Sequence, residues 1–121
     1  MDPLVQTRLD EANRARIDLD YDRAKQLYEA VLDALPDSAA GKHGLGFVLM
    51  MGYGEFDAGL GMMEEAARLA PNNQHIILDL AKSYAMLGED DKVKPLLERV
   101  VALDPSSREG QDARNQLQYY Q

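Results

Sequence analysis

The amino-acid sequence predicts an all-α fold of three antiparallel helix pairs followed by a seventh, capping helix. Three prolines, Pro36, Pro71 and Pro105, lie 35 and 34 residues apart, and each follows a helical pattern. Proline lacks the N–H group that a helix interior needs and keeps the preceding residue out of the α region, so each proline ends a helix. No segment shows the alternation of apolar and polar residues that indicates a strand.

Caps and turns place the seven helices along the chain. Asp2 suits an N-cap and Pro3 suits the first helical position, so the first helix is expected to run to about residue 18. Pairs of Asn or Ser before the fifth and seventh helices are turn and capping residues. Pro95 falls inside the sixth helix, where it is tolerated only near the first turn. The other helices are predicted at about 22–35, 39–52, 57–70, 74–87, 91–103 and 108–120.

Small residues recur at equivalent positions of the period. Ala12, Gly46 and Ala81 lie in the first helices of the pairs, and Ala24 and Gly59 lie in the second helices. Small side chains let two helix backbones approach closely. We therefore expect these five residues at helix crossings.

The third period carries a family pattern. Ile77, Leu80-Ala81 and Tyr84 resemble the W-x₂-L-G-x₂-Y first helix of the tetratricopeptide repeat, whose period is also 34 residues. The resemblance extends over residues 5–107. It implies an α-solenoid that forms a single domain over residues 1–121. Its repeats would span about 5–38, 39–73 and 74–107, with the capping helix at about 108–120.

Composition and charge exclude several classes of function. The 121 residues carry a formal net charge of −8, from 13 basic and 21 acidic side chains without a basic cluster. Such a surface repels phosphate backbones and anionic lipid, so we expect no binding to nucleic acid or membranes. The sequence shows neither an apolar run long enough to span a bilayer nor a secretory signal, which favours a cytoplasmic protein.

Catalytic and cofactor sites are not predicted. The chain has no cysteine, and its carboxylates are spread out rather than paired in an apolar pocket. Gly41, Gly44 and Gly46 lie in a helix without a preceding strand, so they do not form a dinucleotide-binding turn. Ser83 has no base near it in the pattern. The sequence therefore predicts a protein that is not an enzyme and binds no cofactor.

The remaining candidate is the groove that the resemblance implies. In this family the first helix of each repeat turns one face towards a concave surface. The middle of that surface would be rich in Met, whose flexible thioethers suit an irregular apolar partner. The alternative is that these methionines are core between the repeats. The predicted partner-binding residues are Leu9, Asn13, Arg16, His43, Phe47, Met50, Met51, His75, Leu78, Asp79, Lys82 and Met86.

Two histidines leave a metal site open as an alternative. The resemblance implies that His43 and His75 face the groove from neighbouring first helices. Asp79 follows His75 by four residues and so lies on the same helical face. A His-His-Asp zinc site is geometrically possible, but groove histidines without a metal are far more common, and no metal is predicted.

Two subgroups of the family offer a comparison. Co-chaperones that hold acidic C-terminal tails use a clamp of Lys, Asn, Asn, Lys and Arg at fixed groove positions. This sequence has Leu9, Asn13, Gly44, His75 and Asp79 there, so only Asn13 matches and Asp79 would repel a carboxylate. The three-repeat chaperones of type III secretion are similar in size, acidity and apolar groove.

The sequence therefore predicts a non-enzymatic adaptor or scaffold that binds a peptide or helix of a partner protein. Apolar groove residues would supply affinity, and charged ones would set the register of the partner. A small chaperone for secreted or aggregation-prone clients is the second hypothesis, and a metal-dependent activity is the third. The pair Tyr119-Tyr120 also leaves self-association open.

Overall fold

The computed structural model describes residues 2–120, and within that range it contains seven α-helices and no strand. The predicted all-α fold class is confirmed, and Pro36, Pro71 and Pro105 lie between helices as expected. The helices are α1 (Pro3–Ile17), α2 (Tyr21–Ala34), α3 (Ala39–Tyr53), α4 (Phe56–Leu69), α5 (Gln74–Met86), α6 (Asp90–Leu103) and α7 (Arg108–Leu117).

The helices fall into two compact units. The N-terminal unit, up to Leu69, contains α1–α4, and the C-terminal unit, from Ala70, contains α5–α7. In the first unit α2 packs against α1 and α3, and α3 packs against α4. In the second unit α6 packs against α5 and α7. Connections of two to four residues within each unit make consecutive helices antiparallel.

Side-chain caps fix where several helices begin. The side chains of Ser38, Asn73 and Ser107 accept hydrogen bonds from backbone N–H groups three residues later, at 3.0, 3.1 and 2.9 Å. The carboxylate of Asp2 accepts the N–H of Leu4 at 2.8 Å. Each cap satisfies a donor that the helix cannot satisfy itself, which typically stabilises a helix by about 1 kcal/mol.

Close helix crossings in the N-terminal unit depend on glycine. A Cβ atom added to Gly46 would lie 2.7 Å from the carbonyl oxygen of Gly59, so the backbones of α3 and α4 are in contact. A Cβ atom at Gly44 would overlap the ring of Tyr28, which is fully buried from α2. Ala12 and Ala24 are fully buried as well, as the pattern of small residues predicted.

The C-terminal unit has a core of aliphatic side chains. It is formed from α5, α6 and α7, and a Cβ atom at Gly110 would overlap the backbone carbonyl of Asp104. That close contact holds the first turn of α7 against the end of α6. Side chains with 2% exposure or less in this core are Ile77, Ala81, Val93, Leu97, Val100 and Ala113.

The three turns that join α1–α2, α3–α4 and α5–α6 each contain one residue with positive φ. These residues are Leu19 at 63°, Gly54 at 65° and Gly88 at 77°. Glycine reaches this left-handed region without strain, whereas a side chain costs roughly 1–2 kcal/mol there. Leu19 is therefore a strained exception.

The period from Pro36 to Pro71 is one residue longer than the period from Pro71 to Pro105. The additional residue lies in a wider turn at the end of α3. The N–H groups of Asp20 and Glu89 bond to carbonyls five residues earlier, at 2.9 Å in both turns. The N–H of Glu55 instead reaches the carbonyl of Leu49, six residues earlier, at 2.9 Å. The wider final turn lets α3 run to Tyr53, one residue beyond the predicted end.

Pro95 lies inside α6, as predicted, and one helix end differs from its prediction. Pro95 lies at the start of the second turn, and its side chain is exposed. Any other residue at this position would donate its N–H group to the carbonyl of Asp91. Asp91 is itself exposed. Helix α7 ends at Leu117 rather than near Tyr120, because the N–H groups of Tyr119 and Tyr120 bond three residues back and tighten the chain into a turn.

Candidate functional site

Helices α1 and α3 bring three of the predicted partner-binding residues together. Arg16 donates from Nε to the hydroxyl of Tyr28 at 3.1 Å, and that hydroxyl donates to Oδ1 of Asn13 at 2.5 Å. The guanidinium carbon of Arg16 lies 5.0 Å from the centre of the Phe47 ring, within range of a cation–π interaction. The hydroxyl of Tyr28 thus positions both polar side chains, and the ring face of Phe47 also positions Arg16.

The hydroxyl of Tyr28 links this group to the core. Burial raises the pKa of Tyr28, and the nearby charge of Arg16 partly opposes that effect. The phenol is therefore neutral at physiological pH and acts as a fixed hydrogen-bond donor and acceptor. Sequence analysis did not find this role, although Gly44 opposite the tyrosine was a signal for a large side chain that crosses this region.

The remaining predicted residues of α1 and α3 differ in accessibility. Met51 is 46% exposed and Phe47 is half-buried. Leu9, His43 and Met50 are buried, at 6, 7 and 2% exposure. We define the α1/α3 face as the accessible set, which consists of Asn13, Arg16, Phe47 and Met51.

A different chemistry is present on α5 and α7 of the C-terminal unit. Nε2 of His75 lies 3.5 Å from Oδ2 of Asp79, and Nζ of Lys82 lies 2.9 Å from Oδ2 of Asp112. We define these four residues as the α5/α7 face. They line a shallow cavity of about 180 Å³ together with Leu78, Arg108 and Glu109.

Asp112 is held in its charged form. A hydrogen bond from Nε2 of Gln116 at 2.8 Å and one from Lys82 at 2.9 Å lower the pKa of its carboxyl group. Sequence analysis missed Asp112 and Glu109 because α7 was read only as a cap. Extending the 34-residue period once more would have found them, since Glu109 then falls at the position of His75 and Asp112 at that of Leu78.

The two predicted apolar residues of α5 are placed differently. Leu78 is buried at 4% exposure, whereas Met86, the last residue of α5, is 47% exposed. Among the predicted residues, α5 therefore offers a partner one exposed apolar side chain at its end, beside a His–Asp contact and a Lys–Asp ion pair to α7.

Comparison with known proteins identifies the family. A family model described as tetratricopeptide repeat matches residues 50–117, more than half of the chain. The chain belongs to the tetratricopeptide repeat (TPR) family. The family resemblance seen in the sequence is thereby confirmed. Among curated proteins, none matches this TPR chain in sequence.

Solved structures of TPR proteins share the fold. The first TPR of Spaghetti (RPAP3), bound to the HSP90 peptide SRMEEVD, is 19% identical, with a TM-score of 0.81 over 96% of this chain and 89% of that chain. The type III secretion translocator chaperone SycD of Yersinia enterocolitica is 14% identical, with a TM-score of 0.84 over 99% and 85%. PcrH, in complex with the chaperone-binding region of PopD, is 15% identical, with a TM-score of 0.84 over 99% and 92%.

These likenesses establish the TPR fold, which generally serves as a non-catalytic module for protein interaction. Identity below 20% in each case carries no residue-level role across to this chain. Among the helices of residues 2–120, none is both long and apolar enough to cross a membrane.

Proposed function

We propose that this protein is a non-enzymatic interaction module, an adaptor or scaffold that binds an extended or helical segment of a partner protein. The observation that carries the proposal is the α1/α3 face, where Met51 is exposed, Phe47 is half-buried, and Arg16 is held in place by the ring of Phe47 and the hydroxyl of Tyr28. Exposed apolar side chains beside a pre-positioned charge are typical of protein-binding surfaces.

Each accessible residue has a defined role in this proposal. Phe47 and Met51 bury apolar surface of the partner, which contributes about 25 cal/mol per Å² removed from water. Arg16 directs its Nη groups towards a carbonyl or carboxylate of the partner. In the C-terminal unit, Met86 adds apolar contact, and Lys82 with Asp79 sets register through charge.

Four of the predicted partner-binding residues are buried and support the accessible ones. Leu9, His43, Met50 and Leu78 keep less than a tenth of their surface exposed, so their contribution to binding is to hold the accessible neighbours in position. We predict that the partner contacts Asn13, His75 and the accessible residues. We also predict that residues 1–121 form one TPR domain with three repeats.

A small chaperone for secreted or aggregation-prone clients is the second candidate. It is favoured by the extent of the structural match, because SycD and PcrH align over 99% of this chain and over 85 and 92% of their own. SycD is a translocator chaperone, and PcrH binds the chaperone-binding region of PopD. Under either reading we propose a cytoplasmic protein that binds neither nucleic acid nor membranes, since its net charge is −8.

Affinity purification from the native host, with wild type and Met51→Glu compared side by side, tests the proposal. One stoichiometric partner that Met51→Glu loses supports an adaptor, and several aggregation-prone clients that it loses support a chaperone. Circular dichroism must show that the variant is folded. A folded variant that retains every partner would contradict the proposed site.

A further inference from the structure

A second accessible apolar surface lies in the N-terminal unit, at the turns that join α1 to α2 and α3 to α4. We call it the turn patch and define it as Ile17, Leu19, Tyr53 and Phe56. Ile17 and Leu19 are each 69% exposed, and Tyr53 and Phe56 are 39 and 40% exposed. Four large apolar or aromatic side chains at the ends of neighbouring helices are unusual for a surface that only faces water.

Two contacts place the α1–α2 turn beside the α3–α4 turn. The hydroxyl of Tyr53 donates a hydrogen bond to the carboxylate of Asp22, and a Cβ atom on Gly52 would lie 2.8 Å from the side chain of Tyr21. This hydrogen bond raises the pKa of Tyr53 to about 12. The ring of Tyr21 is half-buried and packs against the core next to the α3–α4 turn.

Leu19 is unfavourable for stability in two ways. Its φ of 63° lies in the left-handed region, where the equivalent residues of the other turns are Gly54 and Gly88. Its side chain is also largely exposed, so the strain is not compensated by burial in this chain. Strained residues are found disproportionately at binding sites, where a partner supplies the missing contacts.

The charged side chains within the two turn segments are all acidic. Residues 17–22 and 51–57 contain five acidic side chains and no Lys or Arg. Arg16 lies over Phe47, whereas Arg14 and Arg23 line one cavity together with Asp18 and Asp20, so two of the five carboxylates have arginines beside them. The acidic residues of the two segments are Asp18, Asp20, Asp22, Glu55 and Asp57.

We propose that the turn patch binds a protein segment with apolar side chains flanked by Lys or Arg, such as one face of a basic amphipathic helix. The apolar residues of the segment would cover Leu19 and Phe56, and its basic residues would pair with the acidic rim. The same rim disfavours other occupants, because a second copy of this chain and an anionic membrane would both bring like charge to the surface.

The test uses a synthetic helical peptide with Leu on one face and Lys on the other, titrated against the full chain in a fluorescence-anisotropy assay. The variant Leu19→Gly removes an apolar side chain and relieves strain, so it must fold at least as well as wild type. We expect it to weaken binding about tenfold, the loss for one leucine side chain withdrawn from an interface. Phe56→Ser should weaken binding to a similar extent.

Leu4→Ser is the matched control. Leu4 is 55% exposed at the opposite end of α1, so its replacement should leave the affinity for the peptide unchanged. A peptide with Glu in place of Lys should not bind, and added salt should weaken the Lys peptide steeply.

Three results would overturn the assignment. Equal affinity of wild type, Leu19→Gly and Phe56→Ser would show that the turn patch is not the site. A loss with Met51→Glu but not with Leu19→Gly would move the peptide to the α1/α3 face. Concentration-dependent dimers in sedimentation, abolished by Leu19→Gly, would identify a second copy as the occupant.

Discussion

In the N-terminal unit the α1/α3 face combines an aromatic ring, a thioether and one arginine fixed by a buried tyrosine. In the C-terminal unit the α5/α7 face consists of a His–Asp pair and a Lys–Asp pair around a shallow cavity. Apolar contact gives affinity but little orientation, whereas paired charges give orientation and modest energy. The two faces therefore differ in chemistry although both are formed by helices of one TPR chain.

The largest expected effect separates two adjacent methionines of the N-terminal unit. Met50→Glu places a charge at a site with 2% exposure and should destabilise the unit by more than about 4 kcal/mol. Met51→Glu, at 46% exposure, should change stability by about 0.5 kcal/mol or less. Denaturant titration of both variants measures the difference. Similar destabilisation by the two would mean that Met51 is core and that the α1/α3 face is not accessible.

A smaller effect tests whether Tyr28 positions that face. Gly44→Ala adds a methyl group that overlaps the Tyr28 ring, and overpacking of this kind costs about 1–3 kcal/mol. Displacement of the ring should also release Arg16 and Asn13 from its hydroxyl. Gly61→Ala is the control, because a Cβ atom there meets nothing within 4 Å and alanine favours the helix. If both variants unfold at the same denaturant concentration, the close contact between Gly44 and Tyr28 is absent.

The turns of the two units should respond in opposite directions. Leu19→Gly relieves a strained backbone and should stabilise the protein by about 0.5–1 kcal/mol, whereas Gly88→Ala imposes the same strain and should destabilise it by about 1 kcal/mol. Melting temperatures at neutral pH provide the measurement. An unchanged or lower melting temperature for Leu19→Gly would show that the leucine side chain is stabilised by contacts within the chain.

The smallest effect concerns the ion pairs of the α5/α7 face. The pKa of Asp112 is lowered in the folded state, so its contribution to stability is present above the unfolded pKa near 3.8 and is lost as the pH falls through the folded value. Lys82 is partly exposed, so Lys82→Ala should cost only about 0.5 kcal/mol at neutral pH. Titration of Asp112 by nuclear magnetic resonance should show its pKa rise in the variant, and no change would mean that the ion pair does not form in solution.

Sequence reasoning succeeded where a feature depends on local rules. The prolines ended three helices because of their own covalent structure, and Gly46 and Gly59 marked a helix crossing because only small residues fit there. The starts of α5 and α7 followed from the capping side chains of Asn73 and Ser107. These features need only the neighbouring residues, and so they can be read without knowledge of tertiary packing.

Features that depend on tertiary placement were not predictable in the same way. Met50 and Met51 are chemically identical neighbours, and only the packing of α3 buries one and exposes the other. The reach of Tyr28 to Asn13 depends on its side-chain rotamer, and the left-handed φ of Leu19 contradicts the usual preference for glycine. Asp112 entered the α5/α7 face because α7 packs as a further helix of the repeat pattern.

The position of Phe47 also offers a place for an optical probe. The chain contains no tryptophan, so a single Phe47→Trp replacement would create one indole fluorophore directly beneath the guanidinium of Arg16. An indole keeps the aromatic face that Arg16 needs, and its emission would shift to shorter wavelength when a partner excludes water. The same ring that holds the arginine in place would then report occupancy of the α1/α3 face in real time.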